Sequence, residues 1–303
     1  MTKQTILITG ISGFIGKRVA NYFLDLGFFV IAPVRSSIET KNQNLIICSY
    51  KNLESIISKK KIDYIYHFAS LTCVNHNDQD LIYKTNLELA DYVCKLARIS
   101  RPKMIIFSST ISVYGEISNP FLTFNCQINK NRLEAYGKSK LIAEEILTQS
   151  SIMNGFKLVV LRLPGVIGYG SHSNLISKVI KKLYSENNEP LCLYNPENMF
   201  NNIIDISTLN SYLEQLISPK YNQFKQIKTI IACKEPLRII DVIELIIKNL
   251  GFDESHNKKI VWKLSESNSF IIDSNYQEKF LLKTITTEKC IQKLCKDIFH
   301  LCK

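Results

Sequence analysis

Apolar residues along this chain come in short unbroken runs, and each run is followed by a stretch with helical spacing. The first run, Thr5 to Thr9, ends in glycines. Gly16 to Leu26 then sets Val19, Phe23 and Leu26 on one helical face and stops at Gly27. Phe28 to Pro33 and Leu45 to Ser49 predict two further strands, Leu53 to Lys60 a short helix, and Tyr64 to Ala69 a fourth strand. Asp80 to Ile99 predicts a long helix, Met104 to Ser108 a fifth strand, Arg132 to Ser150 a helix, and Leu158 to Arg162 another strand. Apolar strands alternating with helices predict a parallel sheet covered on both faces, an α/β doubly wound arrangement.

The rhythm changes near Gly168. Asn174 to Tyr184 is helical, and Glu186 to Asn202 is polar and Asn-rich, as in a loop. Asn202 to Ile206 and Thr229 to Ala232 predict short strands, Ile239 to Leu250 a helix capped by Gly251, and Thr286 to Leu301 a final amphipathic helix. The expected organisation is a dinucleotide-binding domain over 1–168 and a smaller C-terminal α/β lobe over 169–303. Late strands near 202–230 are candidates for return to the main sheet.

The chain has 303 residues, enough for one large domain or two at roughly 150 each. At 46% hydrophobic and 21% charged it can build a sizeable core, which excludes a disordered or fibrous chain. No run approaches the ~20 apolar residues of a membrane span, and the start lacks a signal-peptide pattern, so a cytoplasmic protein is expected. The net charge is +11, but the lysines are scattered, which argues against nucleic acid and for a basic surface or small anionic ligands. Nine cysteines form no C-x-x-C and no zinc-type Cys/His spacing, so reduced thiols and no metal site are expected.

Three motifs carry chemistry. Thr9-Gly10-Ile11-Ser12-Gly13-Phe14-Ile15-Gly16 follows a predicted strand and opens a helix. Gly10 suits the tight turn, Gly13 admits a pyrophosphate to the backbone, and Gly16 allows close helix–strand packing. Tyr136 and Lys140 sit at i and i+4 on one helical face, where a nearby ammonium lowers a phenol from about 10 toward working pH. Such a phenol can exchange a proton with a reacting oxygen as hydride moves. Ser108 to Gly115 lies at the carboxyl end of the fifth strand, where open parallel sheets bind ligands. Its hydroxyls can hold a reacting oxygen, although Ser108 and Ser112 are expected to serve their own turn.

Together these segments resemble the extended short-chain dehydrogenase/reductases, the NAD-dependent epimerase/dehydratase group that acts largely on nucleotide sugars. Tyr136 to Glu144 (YGKSKLIAE) matches the catalytic helix of that group, and His67-Phe68-Ala69-Ser70 its strand-four signature. Asn86 stands at its helix asparagine, and Arg162 to Gly168 is similar to the segment flanking the nicotinamide. The resemblance implies a Rossmann fold and a catalytic set of Thr110, Tyr136 and Lys140. It implies a dinucleotide site of Gly10, Ser12, Gly13, Phe14, Ile15, Gly16, Arg35, Phe68, Ala69, Ser70, Ser108, Tyr136, Lys140, Leu163 and Val166. It also implies a homodimer through the helices at 80–99 and 132–150.

Departures narrow the reading. Dehydratases of the group carry Asp-Glu after the catalytic Thr, where this chain has Ile111 and Ser112, and the 3,5-epimerase/4-reductases need a Cys there. Val34-Arg35-Ser36 stands where NAD-specific members have an acid, so NADP(H) is favoured over NAD(H). Phe200 replaces the phosphate-contacting Arg of the group. The leading expectation is an NADPH-dependent reductase of a 4-keto nucleotide sugar, with Tyr136 as proton donor. A nucleotide-sugar 4-epimerase with bound NAD is the alternative, and a non-catalytic dinucleotide-sensing protein is the alternative of another class.

Overall fold

The computed structural model describes all residues except 1–2, 36–39, 74–75, 173, 188, 267–268, 274–283 and 302–303. In chain order the first elements are β1 (Thr5–Thr9), α1 (Phe14–Asp25), β2 (Phe29–Val34), β3 (Leu45–Ser49), α2 (Tyr50–Ile57), β4 (Tyr64–His67), α3 (Gln79–Ser100) and β5 (Met104–Thr110). After β6 (Phe121–Leu122) come α4 (Ala135–Asn154), β7 (Lys157–Leu163), β8 (Gly165–Ile167), α5 (Leu175–Tyr184), β9 (Leu191–Tyr194), β10 (Met199–Phe200) and β11 (Ile203–Asp205). The chain continues through α6 (Ile206–Leu216), β12 (Gln226–Ile230), β13 (Leu237–Arg238), α7 (Ile239–Asn249), β14 (Ile260–Lys263), β15 (Ile271–Ile272) and α8 (Thr287–Leu301).

The chain divides into two units. The first takes Met1–Glu116, Gln127–Leu163 and Leu213–Thr229; the second takes Ile117–Cys126, Pro164–Tyr212 and Ile230–Lys303. Strand β12 is the edge strand of the main sheet, and its segment belongs to the first unit.

That sheet has the order β12-β7-β5-β4-β1-β2-β3, with every pair from β7 to β3 parallel. This is the doubly wound Rossmann order, which reverses between β1 and β4 and opens a crevice at their carboxyl ends. Pleating sends Leu7, Ile31, Ile65, Ile105 and Phe107 into one core with Leu53, Ala90, Val93, Ala143 and Leu147 of α2, α3 and α4. On the opposite face Phe23 of α1 packs edge-on to Tyr66, with ring centroids 5.2 Å apart.

The second unit is built from parallel pairs β8–β11, β9–β14 and β6–β15 and the antiparallel pair β10–β13. Helices α5, α7 and α8 close a separate core around Ile176, Val179, Val242, Ile246, Ile291 and Leu294. Strands β9 and β10 lie within the stretch expected as loop, and α6 within one where no helix is expected. No helix of the described residues is long and apolar enough to cross a membrane. Eight cysteines are free thiols, Cys302 lying outside the described residues, and among the latter no cluster could hold a metal.

Candidate active site

The glycine loop follows from close backbone contact. Gly10 has φ +81°, and a Cβ there would lie 2.6 Å from Ala69 N and 2.8 Å from the Phe68 carbonyl carbon. A Cβ at Gly16 would press into the Gly10 carbonyl oxygen, so that glycine sets how closely α1 meets β1. At Gly13 an added Cβ would meet only Gly10 O, at 3.4 Å; the space before it is open. Gly13 is also the N-cap of α1, with no side-chain cap and no acid in the first turn. An exposed Ser12, half-buried Phe14 and Ile15, and the positive end of the helix thus fit a pyrophosphate.

The loop is tied to its neighbour across the crevice. Thr9 Oγ1 accepts from Ala69 N at 3.3 Å and is bonded to His67 Nδ1 at 2.8 Å. Burial, helped by the charge of Lys140, lowers His67 to about 3, so the ring stays neutral. Phe68, Ala69 and Ser70 lie in the loop after β4, and Asn86 of α3 braces it, donating to Leu71 O at 3.1 Å and accepting from Leu71 N at 2.8 Å. Arg35 is exposed just past β2, and its charge reaches Tyr50.

Tyr136 and Lys140 stand on the first turns of α4. Gly137 allows this: a Cβ there would run into the carbonyl of Ser112, in the 3₁₀ turn Ile111–Tyr114 after β5. Asn86 Nδ2 also donates to Ser139 Oγ at 3.0 Å, and Ser139 Oγ donates to Tyr136 O at 2.9 Å. Lys140 is 2% exposed and donates to Ser108 O at 2.8 Å, its ammonium 4.8 Å from the Phe107 ring centre and 5.9 Å from that of Tyr136. Ser108 Oγ donates to His67 O at 3.1 Å, so Ser108 offers Lys140 a backbone oxygen.

The expected lowering of the Tyr136 phenol is not what the structure shows. Burial pushes it up to about 12, against a hydrogen bond from Ser70 that favours the phenolate. Lys140 itself is drawn down to about 7 by burial, with Glu144 opposing. The cation does not offset that desolvation: the ammonium is turned toward Ser108 O. Thr110 Oγ1 accepts from Ser112 N and donates to Ser112 Oγ, both at 3.1 Å, so this hydroxyl caps the 3₁₀ turn. Leu163 ends β7 in the first unit, whereas Val166 lies in β8 of the second.

Beneath the pair is a buried cluster that motif reading did not single out. Arg162 donates to both oxygens of Glu144, from Nε at 3.0 Å and Nη2 at 2.7 Å, and from Nη1 to Tyr114 OH at 2.7 Å. Ser109 donates to the same carboxylate. The available signal was charge inside two otherwise apolar stretches, two acids in LIAEEIL and one Arg in LVVLRLP.

A glycine loop at a sheet reversal, with a Tyr-x-x-x-Lys helix at the next strand ends, defines a doubly wound Rossmann protein. The family model for NAD dependent epimerases/dehydratases matches residues 6–201, more than half of the chain, and the chain belongs to that family. It is 30% identical over 183 residues to the UDP-glucose 4-epimerase of Yersinia enterocolitica, covering 54% of each protein. It is 27% identical over 186 residues to the GDP-6-deoxy-D-talose 4-dehydrogenase of Aggregatibacter actinomycetemcomitans, covering 58% of this chain and 60% of that one. The chain spans about half the length of the curated relatives it matches. The fold matches that of the Thermotoga maritima UDP-glucose 4-epimerase with UDP-glucose at TM-score 0.75 and 18% identity, over 99% of this chain and 100% of that one.

Proposed function

We propose that this protein carries out reversible oxidation at one carbon of a nucleotide sugar, as a 4-epimerase. The observation that carries the reading is the Tyr136–Lys140 pair beside a dinucleotide cradle, with Ile111 and Ser112 where a second acid and base would stand. Chemistry is then limited to one hydride and one proton. A bound nicotinamide dinucleotide supplies the hydride acceptor and donor; Gly10, Gly13, Gly16 and the first amides of α1 would hold its phosphates. Oxidation of the sugar hydroxyl requires Tyr136 as phenolate, the form that its hydrogen bond from Ser70 favours against burial; the phenol so formed returns the proton to the carbonyl oxygen. Lys140 stands on the same face of α4, its ammonium 5.9 Å from the Tyr136 ring centre, where it would hold the bound dinucleotide, and Ser70 steadies the phenolate. With the dinucleotide bound, inversion at that carbon would need no proton-transfer group beyond Tyr136. Relatives named as UDP-glucose 4-epimerases support this choice.

The test is incubation with UDP-glucose, UDP-galactose and their N-acetylamino counterparts, product analysis by NMR, and assay of cofactor carried through purification. Interconversion with bound NAD is expected, and Tyr136→Phe should reduce turnover by ~10²–10⁴-fold. Absence of conversion and of any dinucleotide binding overturns the reading.

One observation favours a second reading, an NADPH-dependent 4-ketoreductase. Arg35 lies just past β2 with Val34, not an acid, before it. A guanidinium contact to a 2′-phosphate is worth ~1.5–3 kcal/mol, or about 10- to 150-fold in affinity. Arg35→Ala should weaken NADPH by that factor and leave NADH unchanged. Equal dissociation constants for the two cofactors in the parent protein refute this second reading.

A further inference from the structure

The buried Glu144–Arg162 cluster lies one helical turn beyond Lys140, and adjacent residues of β5 hold the two ends. Ser108 O takes the ammonium, and Ser109 Oγ donates to the carboxylate. We propose that Glu144 is a positioning residue that supplies the counter-charge of Lys140, and that Arg162, Tyr114 and Ser109 clamp it there. The proposal rests on the reading of Lys140 as half of the active pair.

Three observations support it. First, among the described residues Glu144 is the acid whose charge raises Lys140; burial opposes it and brings the ammonium to about 7. Second, no freedom remains to the carboxylate: Arg162 engages both oxygens and Ser109 bonds one of them again. A free Glu side chain on a helix would settle among several rotamers, so the clamp fixes its field on Lys140. Third, the other groups facing Lys140 cannot take the role. Tyr136 on α4 is held as a neutral phenol, His67 on β4 is held neutral, and Phe107 on β5 offers only a ring face. Arg162 on β7 carries a like charge, which its ion pair with Glu144 offsets.

A staple that merely fastens α4 to β7 would use the same bonds, so the test must read Lys140 itself. Full-length protein carrying ¹³Cε-lysine is titrated by NMR from pH 5 to 11, with the Lys140 signal assigned by its loss in Lys140→Met. Glu144→Gln leaves Arg162 buried without its partner and risks unfolding. The double variant Glu144→Gln/Arg162→Met therefore removes both charges while filling the space. In Glu144→Gln, where it folds, the Lys140 midpoint should fall by a unit or more, a tenfold or greater loss of proton affinity. In the double variant the lost Arg162 charge opposes the fall, which should be smaller and in the same direction, because Glu144 is the charge that acts on Lys140. Glu144→Asp, which keeps the charge, should recover at least half of that shift. Affinity for added NAD should lose its neutral-pH strength in step with the midpoint. A double variant with parental circular dichroism and an unmoved midpoint overturns the proposal. So does a parent protein in which Lys140 titrates near 10.4 with the solvent lysines. The titration needs no substrate, so a failed turnover assay bears on the nucleotide-sugar reading and leaves the role of Glu144 standing.

Discussion

Gly137→Ala sets two physical effects against each other, and the structure decides the sign. Inside a helix, Ala is better than Gly by ~1 kcal/mol, so propensity alone predicts stabilisation. The added Cβ, however, would press into the Ser112 carbonyl oxygen and stand 3.0 Å from its carbon and 3.5 Å from Val113 N. All three are backbone atoms, so no side chain can rotate away. Either α4 lifts or the turn Ile111–Tyr114 shifts. Overpacking of this kind costs ~1–3 kcal/mol, leaving a net loss of up to about 2 kcal/mol and a Tm lower by a few degrees. Function should suffer more than stability, because the neighbour of Gly137 is Tyr136. A ~1 Å displacement of a reacting group costs on the order of 10²-fold. Differential scanning fluorimetry and turnover in the assay proposed for Tyr136→Phe read the two effects separately. Gly13→Ala is the control for stability, since its Cβ meets only one atom at 3.4 Å. A Gly137→Ala variant as active as the parent, with a raised Tm, would refute the reasoning.

Further outcomes follow from the same geometry. Gly13→Val places a branched side chain in the open cradle, so dinucleotide titration should show affinity lost while the circular dichroism spectrum is unchanged. His67 is held to about 3 against an ordinary 6.5, so between those values the unfolded chain binds the extra proton. Stability should therefore fall as pH drops from 6.5 to about 3, by on the order of 4 kcal/mol, and denaturant midpoints of His67→Gln should show a flatter acid limb. Helices α3 and α4 pack together, and light scattering at micromolar concentration should give a dimer mass; a monomer would count against their use as an interface.

Much of the first unit was legible because buried parallel strands leave an unambiguous trace. Ile6-Leu7-Ile8, Val30 to Val34 and Met104 to Phe107 are each apolar on both faces, as a doubly covered sheet demands. Errors there fell at element ends. Helix α2 begins at Tyr50, three residues before the expected start, because Ser49 accepts from Asn52 N and caps it. Residues 130–132 form a separate 3₁₀ turn ahead of α4. The second unit was harder to read. Helix α6 starts in this unit with buried Leu209 and Tyr212 behind an Asp205 that accepts from Thr208 N, a start signal hidden by the β-like run before it. Its strands are two to four residues long, too short for alternation to show.

In the candidate site, what sequence could express was residue type and spacing; what it could not express was dielectric. Tyr136 and Lys140 are recognisable at i and i+4, yet the sign of the phenol shift depended on burial that only packing creates. The two halves of the site therefore answer to different perturbations. In the glycine loop, Gly10 and Gly16 are fixed by backbone contacts too close for a Cβ, an effect that neither salt nor pH can relieve. The Tyr–Lys half is fixed by buried charge, with Lys140 between a β5 carbonyl and the field of a clamped carboxylate. Substitutions in the first half should act through geometry, with little pH dependence. Those in the second should move pH profiles even where the fold is unaltered, because a buried ammonium drawn down to about 7 responds to every neighbouring charge.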